Sequence, residues 1–371
     1  KVQAPTVWAA GYTGQGTVVA GQDTGYDWDH PALKNHYRGW DGAQADHNYQ
    51  WHDAIHADLS GDGTNPCGFN SLVPCDDNSH GTHTMGTMVG DDGGTNQIGM
   101  APGAKWIGCR NMESGVGRPE TYAECFQWFI APTDLNNANP RTDLAPDVIN
   151  NSWSCPTSEL CTWDSLLTVV QNVRAAGIVI VQSAGNSGPN CSTINAPAGI
   201  YDEVFTIGNT DINDIINSGS SRGPVTVDGS NRMKPDVSAP GTSIRSCVPG
   251  TNYTYMTGTS MSAPHVAGLV ALLLSGQPAL RGQVEKIEDL IRQTAVHLTS
   301  SSQTCGGIAT GAWPNNVYGY GRIDAWNAFQ HLPHAFEISM TTYPTQVQPG
   351  ETITYTIQLS HLHPLSITHH V

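Results

Sequence analysis

Charge is scarce in this chain. Only 13% of its 371 residues are Asp, Glu, Lys or Arg, and bases are the rarer kind: 16 against 32 acids, for a formal net charge of −16. Nothing would offset phosphate repulsion, so a nucleic-acid partner is not expected. Long hydrophobic runs are also missing. The longest, Val266 to Leu274, falls short of the ~18 residues that cross a bilayer, so no membrane span is expected. The nine cysteines include no Cys-x-x-Cys pair, which speaks against zinc and for disulfides in an oxidising compartment. No signal peptide is visible and the chain starts at Lys1, which reads as a mature, secreted form whose leader has been removed. Glycine, by contrast, is plentiful at 40 residues. High glycine with low charge fits a loop-rich enzyme better than a helical bundle or a disordered chain.

Apolar runs at 17–21, 105–110, 147–152, 178–183 and 204–208 read as buried strands. Segments 82–89, 121–129, 163–176, 261–274 and 285–295 read as helices, with Gly and Pro clusters between them. Alternating strand and helix predicts an α/β fold: a mostly parallel sheet sandwiched by helices, with ligands bound beyond the strand C-termini. Composition shifts after Pro333. Residues 338–359 alternate Thr with Val, Ile and Tyr around Pro349-Gly350, a strand–turn–strand signal. We therefore expect one large domain over 1–333 and a short β extension, or the start of a β-sandwich module, over 334–371. His361, His363, His369 and His370 could bind metal, but nothing fixes their geometry, and an exposed strand and tail is the better reading. Proximity favours disulfides 67–75, 109–125 and 155–161, each worth about 2–3 kcal/mol, with one of Cys191, Cys247 and Cys305 left unpaired.

Ser260 lies in Gly258-Thr-Ser-Met-Ser-Ala-Pro264, after a glycine turn and at the start of an apolar helix. A serine there serves equally well as a helix cap or as a nucleophile favoured by the helix N-terminus. A catalytic role demands a base and an orienting acid. The chain has His80, in His80-Gly-Thr-His83, and Asp23, where an apolar strand runs into Asp23-Thr-Gly25.

These three stretches, in the order Asp, His, Ser, resemble the signature motifs of the subtilisin-like serine proteases. Ser183-Ala-Gly-Asn-Ser-Gly-Pro189 resembles that family's oxyanion segment, and Lys234-Pro-Asp-Val-Ser-Ala-Pro-Gly241 the strand and loop leading to the nucleophile. The resemblance covers roughly 1–333. Ile107-Gly-Cys-Arg-Asn-Met112 and Ser221–Ser230 are most similar to the secreted, bacillopeptidase F-type branch.

The resemblance implies a secreted endopeptidase acting on polypeptides, made with a pro-segment that assists folding and is then cleaved. Asp23, His80 and Ser260 would be catalytic, and Asn186 would donate to the oxyanion. Ser152, Trp153, Ser154 and Gly185 would bind substrate, with Ser154 standing where the family usually has glycine. No acid is obviously placed in the pocket, so broad cleavage with an apolar preference is expected. His83 is expected to play no direct part, and Asp76 and Asp77 read as solvated loop acids. No cofactor is needed for catalysis. Structural calcium is expected of the family, yet Ala32 stands where its strong site has an aspartate. Asp58, Ser60 and Asp62 begin an EF-hand-like loop, but its twelfth position is Phe69. The competing readings are an acyl transferase or peptide ligase on the same scaffold, and a catalytically silent binding protein.

Overall fold

The structure is a computed structural model; it describes residues 1–61, 63–300, 302–333, 336–343, 348 and 354–361. Its elements in chain order are α1 (Ala4–Ala9), β1 (Val18–Asp23), β2 (Trp51–Asp53), α2 (His80–Val89), β3 (Lys105–Arg110), α3 (Pro119–Ile130), β4 (Val148–Asn151), α4 (Leu167–Ala175) and β5 (Val179–Ser183). There follow β6 (Phe205–Thr210), β7 (Val237–Pro240), β8 (Ile244–Val248), β9 (Asn252–Met256), α5 (Thr259–Gly276), α6 (Val284–Thr294), α7 (Ala325–Gln330), β10 (Phe336–Tyr343) and β11 (Thr354–His361).

Seven strands form one sheet in the order β2-β3-β1-β4-β5-β6-β7. Every pairing in it is parallel. Strands β4, β5, β6 and β7 are buried along their whole length, as expected of a sheet covered on both faces. One face packs on α2 and α5, the other on α3 and α4. The expected α/β sandwich is what forms. β8 and β9 pair as a separate antiparallel hairpin, and so do β10 and β11, across the strand–turn–strand signal. The side chains of His361, His363, His369 and His370 lie outside the described residues.

α5 is the central helix. Val266, Leu269, Val270, Leu272 and Leu273 are all 1% exposed or less. Cutting one of these leucines to alanine would cost about 2–5 kcal/mol. At 18 residues, α5 is longer than its apolar run predicts, and by length and composition alone it could cross a membrane. Its residues instead fill the core, so no apolar face is left for lipid. The helix expected from Trp163 starts only at Leu167. Thr162 donates to Asp164 and its backbone N–H binds Ser165 Oγ, making a turn first.

The three local disulfides form as expected, and Cys191 pairs with Cys305, leaving Cys247 as the free, buried thiol.

Candidate active site

Asp23 ends β1 and is fully buried. The next two residues turn the chain, and the turn needs glycine at 25: φ is +107°, and a Cβ there would collide with the Cys75 carbonyl. The start of α2 packs directly on this turn, where a Cβ on Gly81 would collide with the Gly25 carbonyl. Backbone therefore meets backbone, and the contact brings His80 Nδ1 within 2.7 Å of Asp23 Oδ1. Asp23 Oδ1 also accepts from the Thr24 N–H. Desolvation lowers the His80 pKa, but the charge and hydrogen bond of Asp23, aided by the charge of Asp76, outweigh it and the net shift is upward.

Ser260 is the second residue of α5. Pro264 lies four residues on and has no N–H, so the Ser260 carbonyl receives no helical bond from it. Ser152 Oγ donates to that carbonyl instead, at 2.8 Å. In return the Ser260 hydroxyl donates to the Ser152 carbonyl at 2.9 Å. The hydroxyl thus rests on the strand exit of β4 rather than on His80, though both side chains border one cleft of about 440 Å³.

Asn186 lies three residues past β5 on the same cleft. Its Oδ1 accepts from the Thr259 N–H and hydroxyl, which turns its NH₂ end into the assigned donor. Among the described residues that NH₂ and the Ser260 N–H take no partner. First-turn N–H groups of a helix have none within the helix, so this pair can receive an anion. Gly185, at φ +94°, forms the adjoining wall.

Ser152, Trp153 and Ser154 border the cleft as expected, but not equally. The Trp153 carbonyl turns inward to Gln182 Nε2 and Ser183 Oγ. Trp153 therefore does not offer the cleft its carbonyl, and its ring stacks on Tyr122 with centroids 4.0 Å apart.

Asp76 and Asp77 are not solvated loop acids. Asp76 accepts from the Thr24 hydroxyl, from the N–H groups of Asn78, Ser79 and Thr82, and from the Thr82 hydroxyl. It caps α2 and ties it to the turn after Asp23. Asp77 pairs with Arg110 at 2.6 Å, both side chains fully buried. His83 lies away from the cleft, its Nε2 3.1 Å from the Ile244 carbonyl. Burial, then the charge of His80, lowers its pKa to about 4, so it stays neutral.

Asp58 and Ser60, two of the three calcium candidates, lie in one turn. Asp58 Oδ1 accepts from Ser60 Oγ and the Gly61 N–H, a local turn, and Asp62 lies outside the described residues. Ala32 is buried, its N–H on His30 Nδ1. In the loop at 91–96, Asp92 accepts from Gly94 and Asn96, and Asn96 Oδ1 accepts from Arg245. A guanidinium already meets this loop, which does not fit a cation site. Among the described residues no group of three His, Cys, Asp or Glu side chains could hold a metal.

The model of the subtilase family matches residues 14–321. The chain belongs to the subtilase family. Subtilases are serine peptidases, a class of hydrolase. Bacillopeptidase F of Bacillus subtilis (strain 168) is 41% identical over 339 residues, covering 88% of this chain and 21% of that protein. Subtilisin of Bacillus pumilus is 32% identical over 310 residues, 81% of this chain and 91% of that protein. Subtilisin E of Bacillus subtilis (strain 168) is also 32% identical over 310 residues, and 66% of its length is covered. The subtilase chain thus spans about a fifth of bacillopeptidase F.

One residue of this subtilase was missed from sequence. Glu159 borders the cleft, contrary to the expectation of no acid there. It sits in the Cys155–Cys161 loop, where no motif marks it.

Proposed function

We propose that this subtilase is a secreted endopeptidase that hydrolyses peptide bonds through an acyl-enzyme on Ser260. The observation that carries the reading is the His80–Asp23 hydrogen bond of 2.7 Å on the cleft that also holds Ser260 and Asn186. Rotation about one side-chain bond moves the Ser260 hydroxyl from the Ser152 carbonyl toward His80. His80 takes its proton as Oγ attacks the scissile carbonyl, then returns it to the leaving amine. Asp23 holds the imidazole by Nδ1 and stabilises its charged form. The oxyanion is met by the Ser260 N–H and Asn186 Nδ2, donors fixed before the charge develops. Substrate backbone lies as an added strand against Ser152 and Ser154, which share one strand edge, while Trp153 and Gly185 shape the walls. No metal takes part in this chemistry.

Four disulfides support an extracellular setting. A pro-segment removed after folding belongs to the same proposal, as does a β extension from 334 onward.

The test is casein digestion with and without a serine-reactive phosphonate, alongside Ser260→Ala. The variant is expected to fold and to lose about 10⁶-fold in kcat, a figure that comes from subtilisin, a relative of this chain. Peptide hydrolysis by Ser260→Ala at the wild-type rate would refute the assignment. Hydrolysis of casein, rather than transfer of the acyl group to an added amine, separates a peptidase from a ligase.

A further inference from the structure

We propose that Glu159 selects substrates with a lysine or arginine side chain at one position in the cleft. The proposal rests on the peptidase reading above and adds the substrate class.

Among the described residues that border the cleft, Glu159 is the sole carboxylate, and His80 the sole other titratable group. Glu159 is held in place. It closes the turn Thr157–Glu159 inside the six-residue span of the Cys155–Cys161 disulfide. The Tyr122 hydroxyl donates to Oε2 at 2.7 Å and the Gly117 N–H to Oε1 at 3.3 Å. Tyr122 is itself fixed by its stack on Trp153.

A carboxylate offers about four acceptor sites, so about two stay open. No Lys, Arg or His lies within ion-pair distance of Glu159 among the described residues. The nearest competitor, Arg118, directs its guanidinium to the carbonyls of Gly117 and Leu59. Burial raises the Glu159 pKa, and the Tyr122 and Gly117 hydrogen bonds and the Arg118 charge only partly offset it. A cation arriving from the substrate would supply what the site lacks. Two apolar residues, Trp153 and Met112, also border the cleft, where the aliphatic part of such a side chain would lie. A neutral substrate would leave the half-buried carboxylate without a counter-charge, which is where discrimination arises. The net charge of −16 adds attraction for basic peptides at long range.

The test has two parts. A peptide library digested by the wild-type protein is expected to show Lys and Arg enriched at one position relative to the scissile bond. Matched peptides with Lys or norleucine at that position are then compared for wild type, Glu159→Gln and Glu159→Lys, each checked for folding by phosphonate labelling of Ser260. The ratio of kcat/KM for Lys over norleucine should fall about tenfold or more in Glu159→Gln, the loss of one charge-assisted contact. It should fall further in Glu159→Lys, which should favour Glu there. An unchanged ratio in Glu159→Gln, or a wild-type profile with no basic enrichment at any position, would overturn the proposal. A wild type that cuts no peptide and takes no phosphonate would overturn the peptidase reading itself.

Discussion

Replacing Arg110 with methionine would strand two carboxylates in the interior. The Arg110 guanidinium is 2.6 Å from Asp77 and 3.5 Å from Asp53, and all three side chains are 1% exposed or less. It also donates to the Gly68 carbonyl and Asn65 Oδ1, which ties the loop between β2 and α2 to the end of β3. Removing one partner of such a buried pair costs about 3–5 kcal/mol, against ~0.2–1 for an exposed pair. That is a large part of a total stability of ~5–15 kcal/mol. The loss should depend on pH. Burial already raises the pKa values of Asp53 and Asp77, and Arg110 is the main charge pulling them down. Without it both climb further. A carboxylate with a raised folded pKa stabilises below its unfolded value and loses that contribution as pH rises through the folded one. Arg110→Met should therefore be hurt more at pH 8 than at pH 5. Urea unfolding at both values, in a Ser260→Ala background that cannot digest itself, measures this. Arg110→Met combined with Asp77→Asn should recover part of the loss. A cost below about 1 kcal/mol, equal at both pH values, would show that the cluster is not a buried pair in solution.

Two further outcomes are expected. The acid limb of kcat/KM should inflect above the ordinary histidine value of 6.5, because Asp23 raises His80 and only neutral His80 can accept a proton; an inflection below 6 would refute that coupling. Removing Cys191–Cys305, which spans 114 residues, should cost about 5 kcal/mol, and removing Cys155–Cys161, which spans 6, about 2; paired Cys→Ala variants with equal losses would contradict the chain-entropy account.

Much of this molecule could be read from its residues, and the exceptions share a cause. Asp23, His80, Asn186 and Ser260 sit in local motifs, and a parallel sheet gathers strand ends on one edge, so their convergence followed from order alone. The three local disulfides followed from short separations. The roles of Asp76 and Asp77 did not, because their partners Thr24, Thr82 and Arg110 belong to other elements. Glu159 was missed for the same reason: its place depends on Tyr122, 37 residues earlier. β2 is only three residues long, too short for alternation to register. Trp153 was expected to bind substrate along with Ser152 and Ser154, but a motif does not say that its carbonyl is already taken by Gln182.

The contact of Gly81 with the Gly25 carbonyl has a practical meaning for recombining this chain with its relatives. The spacing of Asp23 and His80 is a property of two backbones in touch, with no rotamer free to drift between them. A crossover anywhere between β1 and α2 should preserve that spacing, provided both glycines are inherited, however much the intervening loop changes in length or sequence. A donor segment carrying alanine at either position would push the helix away and open the pair, even with every motif side chain intact.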